Sequence, residues 1–170
     1  LANKSENIYF ALLGDCTSSK NEKESFDEEI IKTGLEEAER LNKKYKTLIE
    51  ENDKFYFLYR NRVWNAGEKS FLGWERKRGL LCQFNDFIVN GVNFFRVNTI
   101  ANEEKDICNK IKYVITLDSD TNLVLDSAQE LIGAMAHILN RPVLAKKKNI
   151  VEQGHAIIQP RIGIDLEASR

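Results

Sequence analysis

Tyr113-Val-Ile-Thr-Leu-Asp118-Ser-Asp120-Thr121 sets an apolar, β-branched run directly against two carboxylates spaced one residue apart. A short continuous apolar run is how a buried strand of a parallel sheet reads. Ligands of open α/β sheets gather just beyond the carboxyl ends of such strands. Asp118 and Asp120 would then stand where a divalent cation bridges carboxylates to a diphosphate. The same letters also fit a strand followed by an Asx-turn and a helix cap. The segment by itself leaves both readings open.

Working outward, residues 8–13 read as a first strand closed by Gly14-Asp15, and residues 16–25 as a loop. Ser25 is placed to cap a helix, with Glu28 completing a capping box. Ile30, Ile31, Gly34, Leu35, Ala38, Leu41 and Tyr45 then recur near helical spacing. Residues 55–59 form a second strand, and 60–70 a polar loop containing Trp64. Residues 74–89 place Leu80, Leu81, Phe84, Phe87 and Ile88 on one helix face, ending at Asn90-Gly91. Residues 92–110 admit a short strand and a short helix. After the third strand at 113–117 comes an amphipathic helix over 123–139, stopped by Pro142. A charged turn follows at 146–149, then a fourth strand at 155–159, ended by Pro160. The order β-α-β-α-β-α-β predicts an α/β fold of Rossmann-like type, a mostly parallel sheet flanked by helices, as one domain over residues 1–170.

Composition narrows the function classes. A length of 170 residues with 42% hydrophobic and 30% charged side chains suits a soluble globular domain. A net charge of −1 supplies no field for nucleic acid or a membrane surface. No apolar run approaches the ~18 residues of a membrane span, and no signal peptide opens the chain. Cys16, Cys82 and Cys108 are odd in number, lack zinc-like spacing, and read as reduced, buried or incidental thiols. The start without Met and the end at Ala168-Ser169-Arg170, just past a structured segment, suggest a piece of something larger.

Three features fall at the predicted ligand edge of the sheet: Asp15 after the first strand, Glu75-Arg76-Lys77-Arg78-Gly79 opening the second helix, and Asp118 with Asp120. A helix start with cations beside it favours anions, so a carboxylate-held metal and this basic start would grip a diphosphate from two sides. A charge run is also simply a solvated helix face, and an acid after a strand is often a turn residue. His137 and His155 read as structural histidines. Trp64 and Trp74 are core residues or a flat face for a sugar, and spacing does not choose between them.

The longer strings are more specific. Phe71-Leu-Gly-Trp-Glu-Arg-Lys-Arg-Gly79 with Phe84-Asn85, the segment 113–121, Met135-Ala-His-Ile-Leu-Asn-Arg-Pro142, Gln159-Pro-Arg161, and Leu1-Ala2-Asn3 followed by Phe10-Ala-Leu-Leu13 together resemble the glycosyltransferase domain of cyclic β-1,2-glucan synthases, glycosyltransferase family 84. The resemblance runs over essentially the whole chain. It implies a GT-A-type fold, UDP-glucose as donor, a β-glucan acceptor, Mg²⁺ or Mn²⁺ as cofactor, and inversion at the transferred sugar. Asp118 and Asp120 match the Asp-x-Asp metal motif. By likeness to processive transferases more widely, Asp15 would stand near the uracil. Lys77, Arg78 and Asn85 would lie along the donor, as would Asp118. Gln159 and Arg161 would line the sugar or acceptor side. The general base is expected beyond Arg170 and a first βα unit before Leu1, so the stretch alone is expected to be soluble and without turnover. The family's proteins are expected in the bacterial inner membrane, with this domain on the cytoplasmic side. A sheet edge left open predicts some self-association. Two other classes compete: a non-catalytic structural or nucleotide-sugar-binding piece, and a haloacid-dehalogenase-like phosphatase with Asp118 as nucleophile. The phosphatase pattern wants Thr or Val two residues after Asp120, where Asn122 stands.

Overall fold

Five consecutive apolar and aromatic residues closed by an arginine make the strand that organises the fold. The computed structural model describes residues 3, 5–46, 53–100, 106–146, 150–161 and 163. They fall into two compact units, Glu6–Lys112 and Leu1–Ser5 with Tyr113–Arg170. In the first unit β1 (Phe10–Gly14) lies parallel to β2 (Phe55–Arg60), with Phe10 opposite Phe55 and Gly14 opposite Tyr59. On the other side of β2, β5 (Phe95–Asn98) runs antiparallel. Every residue of β2 is buried. Its side chains alternate between the two faces of the sheet. Tyr56 and Leu58 pack with Leu80, Phe84, Phe87, Phe95, Ile100 and Ile107, while Phe57 and Tyr59 pack with Ile31. Helices α2 (Arg76–Asn90) and α3 (Asp106–Lys110) therefore cover one face and α1 (Ser25–Tyr45) the other.

The local chemistry explains the boundaries. Helix α1 is capped one residue earlier than expected: Glu24 is the N-cap, and its backbone N–H donates to the Asp27 carboxylate at 3.0 Å. Asp27 rather than Glu28 completes the box because it is the carboxylate that reaches this N–H. At the far end, Asn42 donates to the Phe55 carbonyl (2.8 Å) and accepts from the Lys54 and Phe55 N–H groups. That tacks the last turn of α1 to the start of β2. Helix α2 stops where Gly91 takes φ 72°, donating its N–H to the Phe87 carbonyl. The polar loop expected over 60–70 is instead a hairpin, β3 (Val63–Asn65) against β4 (Ser70–Leu72). Its turn is closed by the Asn65 side-chain oxygen, which accepts from the Gly67 and Glu68 N–H groups.

The second unit departs further from the sequence reading. The strand expected at 113–117 is irregular, with Tyr113, Val114, Ile115 and Leu117 all exposed. A strand persists only when its N–H and C=O groups are paired, and no described strand lies beside this run. Helix α4 (Ser127–Ala136) ends before the expected 139 because His137 leaves helical geometry; a single 3₁₀ turn follows over Ile138–Asn140. The strand expected at 155–159 does not form. Gly154 turns left-handed (φ 75°) and the His155 N–H donates to the Asn140 carbonyl, closing a turn. Pairing falls just before it, in the short hairpin β6 (Val143–Leu144) with β7 (Val151–Gln153). Part of the charged turn expected at 146–149 lies outside the described residues. The architecture is thus α/β, but the main sheet is small and mixed rather than mostly parallel.

Candidate functional site

The carboxyl end of β2 carries Arg60, whose side chain is 1% exposed. A buried guanidinium is costly unless each of its five N–H groups finds an acceptor. Here all five do. Nε and Nη2 grip the Asp15 carboxylate at 2.6 and 2.8 Å. Nη1 donates to the Trp74 carbonyl (2.8 Å) and the Gln83 side chain (3.3 Å), and Nη2 also donates to the Arg76 carbonyl (2.7 Å). One side chain therefore ties the end of β1 to the turn that opens α2.

That turn is strained and closely packed. Glu75 and Arg76 hold left-handed backbone (φ 52° and 50°), at a cost of roughly 1 kcal/mol each. A Cβ on Gly73 would come within 2.2 Å of the Arg60 guanidinium, and one on Gly79 within 1.8 Å of the Trp74 carbonyl oxygen. Only glycines let the turn lie against Arg60. The basic residues stand outside it. Arg76 pairs with Glu68 (3.0 Å) and Arg78 with Glu75 (3.1 Å), all exposed. Lys77 and Asn85 are exposed on α2. The structure thus brings Asp15 together with the start of the helix that carries Lys77, Arg78 and Asn85. Sequence reasoning missed the link, Arg60. Its signal was a charge closing an otherwise apolar buried strand.

Beside this lies a second buried cluster. Arg62 donates to both oxygens of Asp27 and to the Thr17 carbonyl, and the Tyr59 hydroxyl donates to Asp27 at 2.8 Å. Burial opposes the charged form of Asp27, but the Arg62, Glu24 and Tyr59 hydrogen bonds outweigh it and lower its pKa to about 2. Burial and the adjacent Asp27 carboxylate raise the Tyr59 phenol. Burial, with Asp15 beside it, raises the Cys16 thiol, so it stays protonated.

Asp118 and Asp120 belong to the other unit. Both are exposed, on a turn closed by the Thr121 N–H donating to the Asp118 carbonyl at 3.0 Å. Gln159 and Arg161, also exposed, belong to the same unit. Asn3, which the sequence marks only as part of a motif, clamps the entry to α4. Its side chain donates to the Val124 carbonyl and accepts from the Ala128 N–H, both at 2.9 Å. His137 sits at the end of α4, its Nδ1 accepting from the Leu139 N–H. Among the described residues, no group of three or more His, Cys, Asp or Glu side chains is gathered to hold a metal. No helix among them is long and apolar enough to cross a membrane.

No family model matches the chain. Over nearly its whole length, however, it is similar to a stretch of a glucan synthase. That relative is the cyclic beta-(1,2)-glucan synthase NdvB of Rhizobium meliloti (strain 1021), 35% identical over 162 residues, which is 95% of this chain. The chain spans 6% of the length of that protein.

Proposed function

We propose that this chain is the donor-binding part of a metal-dependent glycosyltransferase that moves glucose from UDP-glucose to a growing β-1,2-glucan. The likeness to the glucan synthase over 95% of the chain carries this reading. The donor is α-linked and the product β-linked, so transfer is a single in-line displacement with inversion. Asp118 and Asp120 would hold Mg²⁺ or Mn²⁺. Two hard carboxylate donors on an exposed turn suit such a cation, which keeps further positions for phosphate and water. When bound, the cation supplies Lewis-acid neutralisation of charge on the departing diphosphate.

The residues of this chain supply the rest. Lys77 and Arg78, exposed at a helix start held rigid by Arg60, would favour an anionic group of the donor. Asp15, its carboxylate fixed in direction by Arg60, would meet the base. Asn85 would contact the donor, and Gln159 and Arg161 the sugar or acceptor. The base that activates the acceptor hydroxyl would come from outside these residues. The test is titration calorimetry of this chain with UDP, with and without Mn²⁺. Metal-dependent binding that disappears in Asp120→Ala, with an unchanged circular dichroism spectrum, is the expected result. Binding indifferent to metal or to Asp120 overturns the assignment.

A further inference from the structure

The β3–β4 hairpin carries an aromatic surface that neither the buried core nor the donor reading uses. Trp64 is 54% exposed and is paired with Phe71 across the hairpin. The Phe71 N–H and C=O both bond to Ser19, on the far side of β4. Phe71 and Trp64 therefore form a non-hydrogen-bonded pair, the kind whose side chains stand closest. Their rings meet edge to face, with centroids 5.1 Å apart at 63°. On the opposite face of the hairpin Leu72 is buried and Val63 is 44% exposed, while Trp64, at 54%, is the more exposed aromatic of its pair. Phe71 fixes the indole, and the Asn65-closed turn fixes the hairpin, so little entropy is left to lose on binding.

The surroundings decide what such a ring would take. An apolar protein partner calls for a contiguous apolar patch, but the hairpin tip is Ala66-Gly67-Glu68-Lys69, exposed and polar. The Glu68–Arg76 ion pair joins that tip to the opening of α2. A flat, half-exposed indole on a hairpin whose tip is exposed and charged suits a pyranose. The ring C–H face of the sugar would lie on the indole, leaving its hydroxyls to water and to polar side chains. We propose that Trp64 is a stacking platform for a glucosyl unit of the β-glucan acceptor, on a hairpin that the Glu68–Arg76 pair joins to the opening of α2. The choice of a β-glucan rests on the transferase reading above.

The test is calorimetry of this chain with linear β-(1,2)-glucooligosaccharides, in wild type, Trp64→Ala and Trp64→Tyr. Wild type should bind at millimolar concentration or tighter. Trp64→Ala should weaken binding by about tenfold or more, while Trp64→Tyr keeps it within about threefold, both with native circular dichroism. No binding by wild type, or equal binding by Trp64→Ala, overturns the platform. So does a Trp64-dependent self-association in sedimentation without an effect on glucan binding. UDP binding with Mn²⁺, measured separately, distinguishes the two failures. Lost nucleotide binding with intact glucan binding sinks only the donor reading, and the reverse sinks only the platform.

Discussion

Arg60, which ends β2, and Arg62, just beyond it, hold two carboxylates supplied by segments far away in sequence. Removing one partner of a buried pair leaves an uncompensated charge, typically worth 3–5 kcal/mol. Asp27→Asn should therefore lower unfolding stability by roughly 3 kcal/mol in urea titration, because it strands Arg62 and weakens the α1 cap. The pH dependence follows from the same residue. The folded value of about 2 lies below the ordinary 3.8. Its contribution is complete above about pH 4 and is lost as pH falls towards 2, on the order of 2 kcal/mol in all. Stability measured across that window should fall in wild type and much less in Asp27→Asn. None of this was legible in the sequence. Arg60 and Asp15 stand 45 residues apart, and Asn3 reaches a helix start 125 residues on. Asp15 follows β1 as its place after an apolar run predicts, but periodicity carries no information about which cation reaches it.

At the level of elements, what the sequence revealed depended on whether an element is local. Helices α1 and α2 announce themselves by apolar spacing, and β2 by the apolar and aromatic run Phe55–Tyr59. Pairing is not local. The run 113–117 has the composition of a strand and no described neighbour to bond, whereas three-residue strands β3 and β4 fall below the run length that composition detects. Helix α2 gives a sharp test of packing against propensity. Alanine at Gly79 should favour the helix by about 1 kcal/mol. Its Cβ would instead meet the Trp74 carbonyl at 1.8 Å, and overpacking costs ~1–3 kcal/mol. Gly79→Ala should lower the melting temperature; a rise would mean that the 73–79 turn does not press against the helix.

For the whole molecule, burial is distributed very unevenly. The large buried apolar side chains, from Ile31 to Ile107, all lie in Glu6–Lys112, whereas Tyr113–Arg170 contributes Ala128 to the described core. Leu125, Ile138, Leu139, Leu144 and Ile157 are each more than 60% exposed. Apolar burial is the main favourable term in folding, so the two units should differ in autonomy. Expressed alone, Glu6–Lys112 should unfold in one cooperative transition by circular dichroism, while Tyr113–Arg170 should show none and should bind a hydrophobic dye. The main sheet adds a second consequence. Strand β1 is paired on one side only among the described residues, and its Leu12 is 63% exposed. An apolar edge strand is a template for another copy. Glu6–Lys112 should therefore sediment as a concentration-dependent mixture, and Leu12→Lys should shift it towards monomer without changing its melting transition. A charge on the edge opposes pairing between copies but leaves the β1–β2 register intact, so a monomer fraction unmoved by Leu12→Lys would remove the edge as the contact.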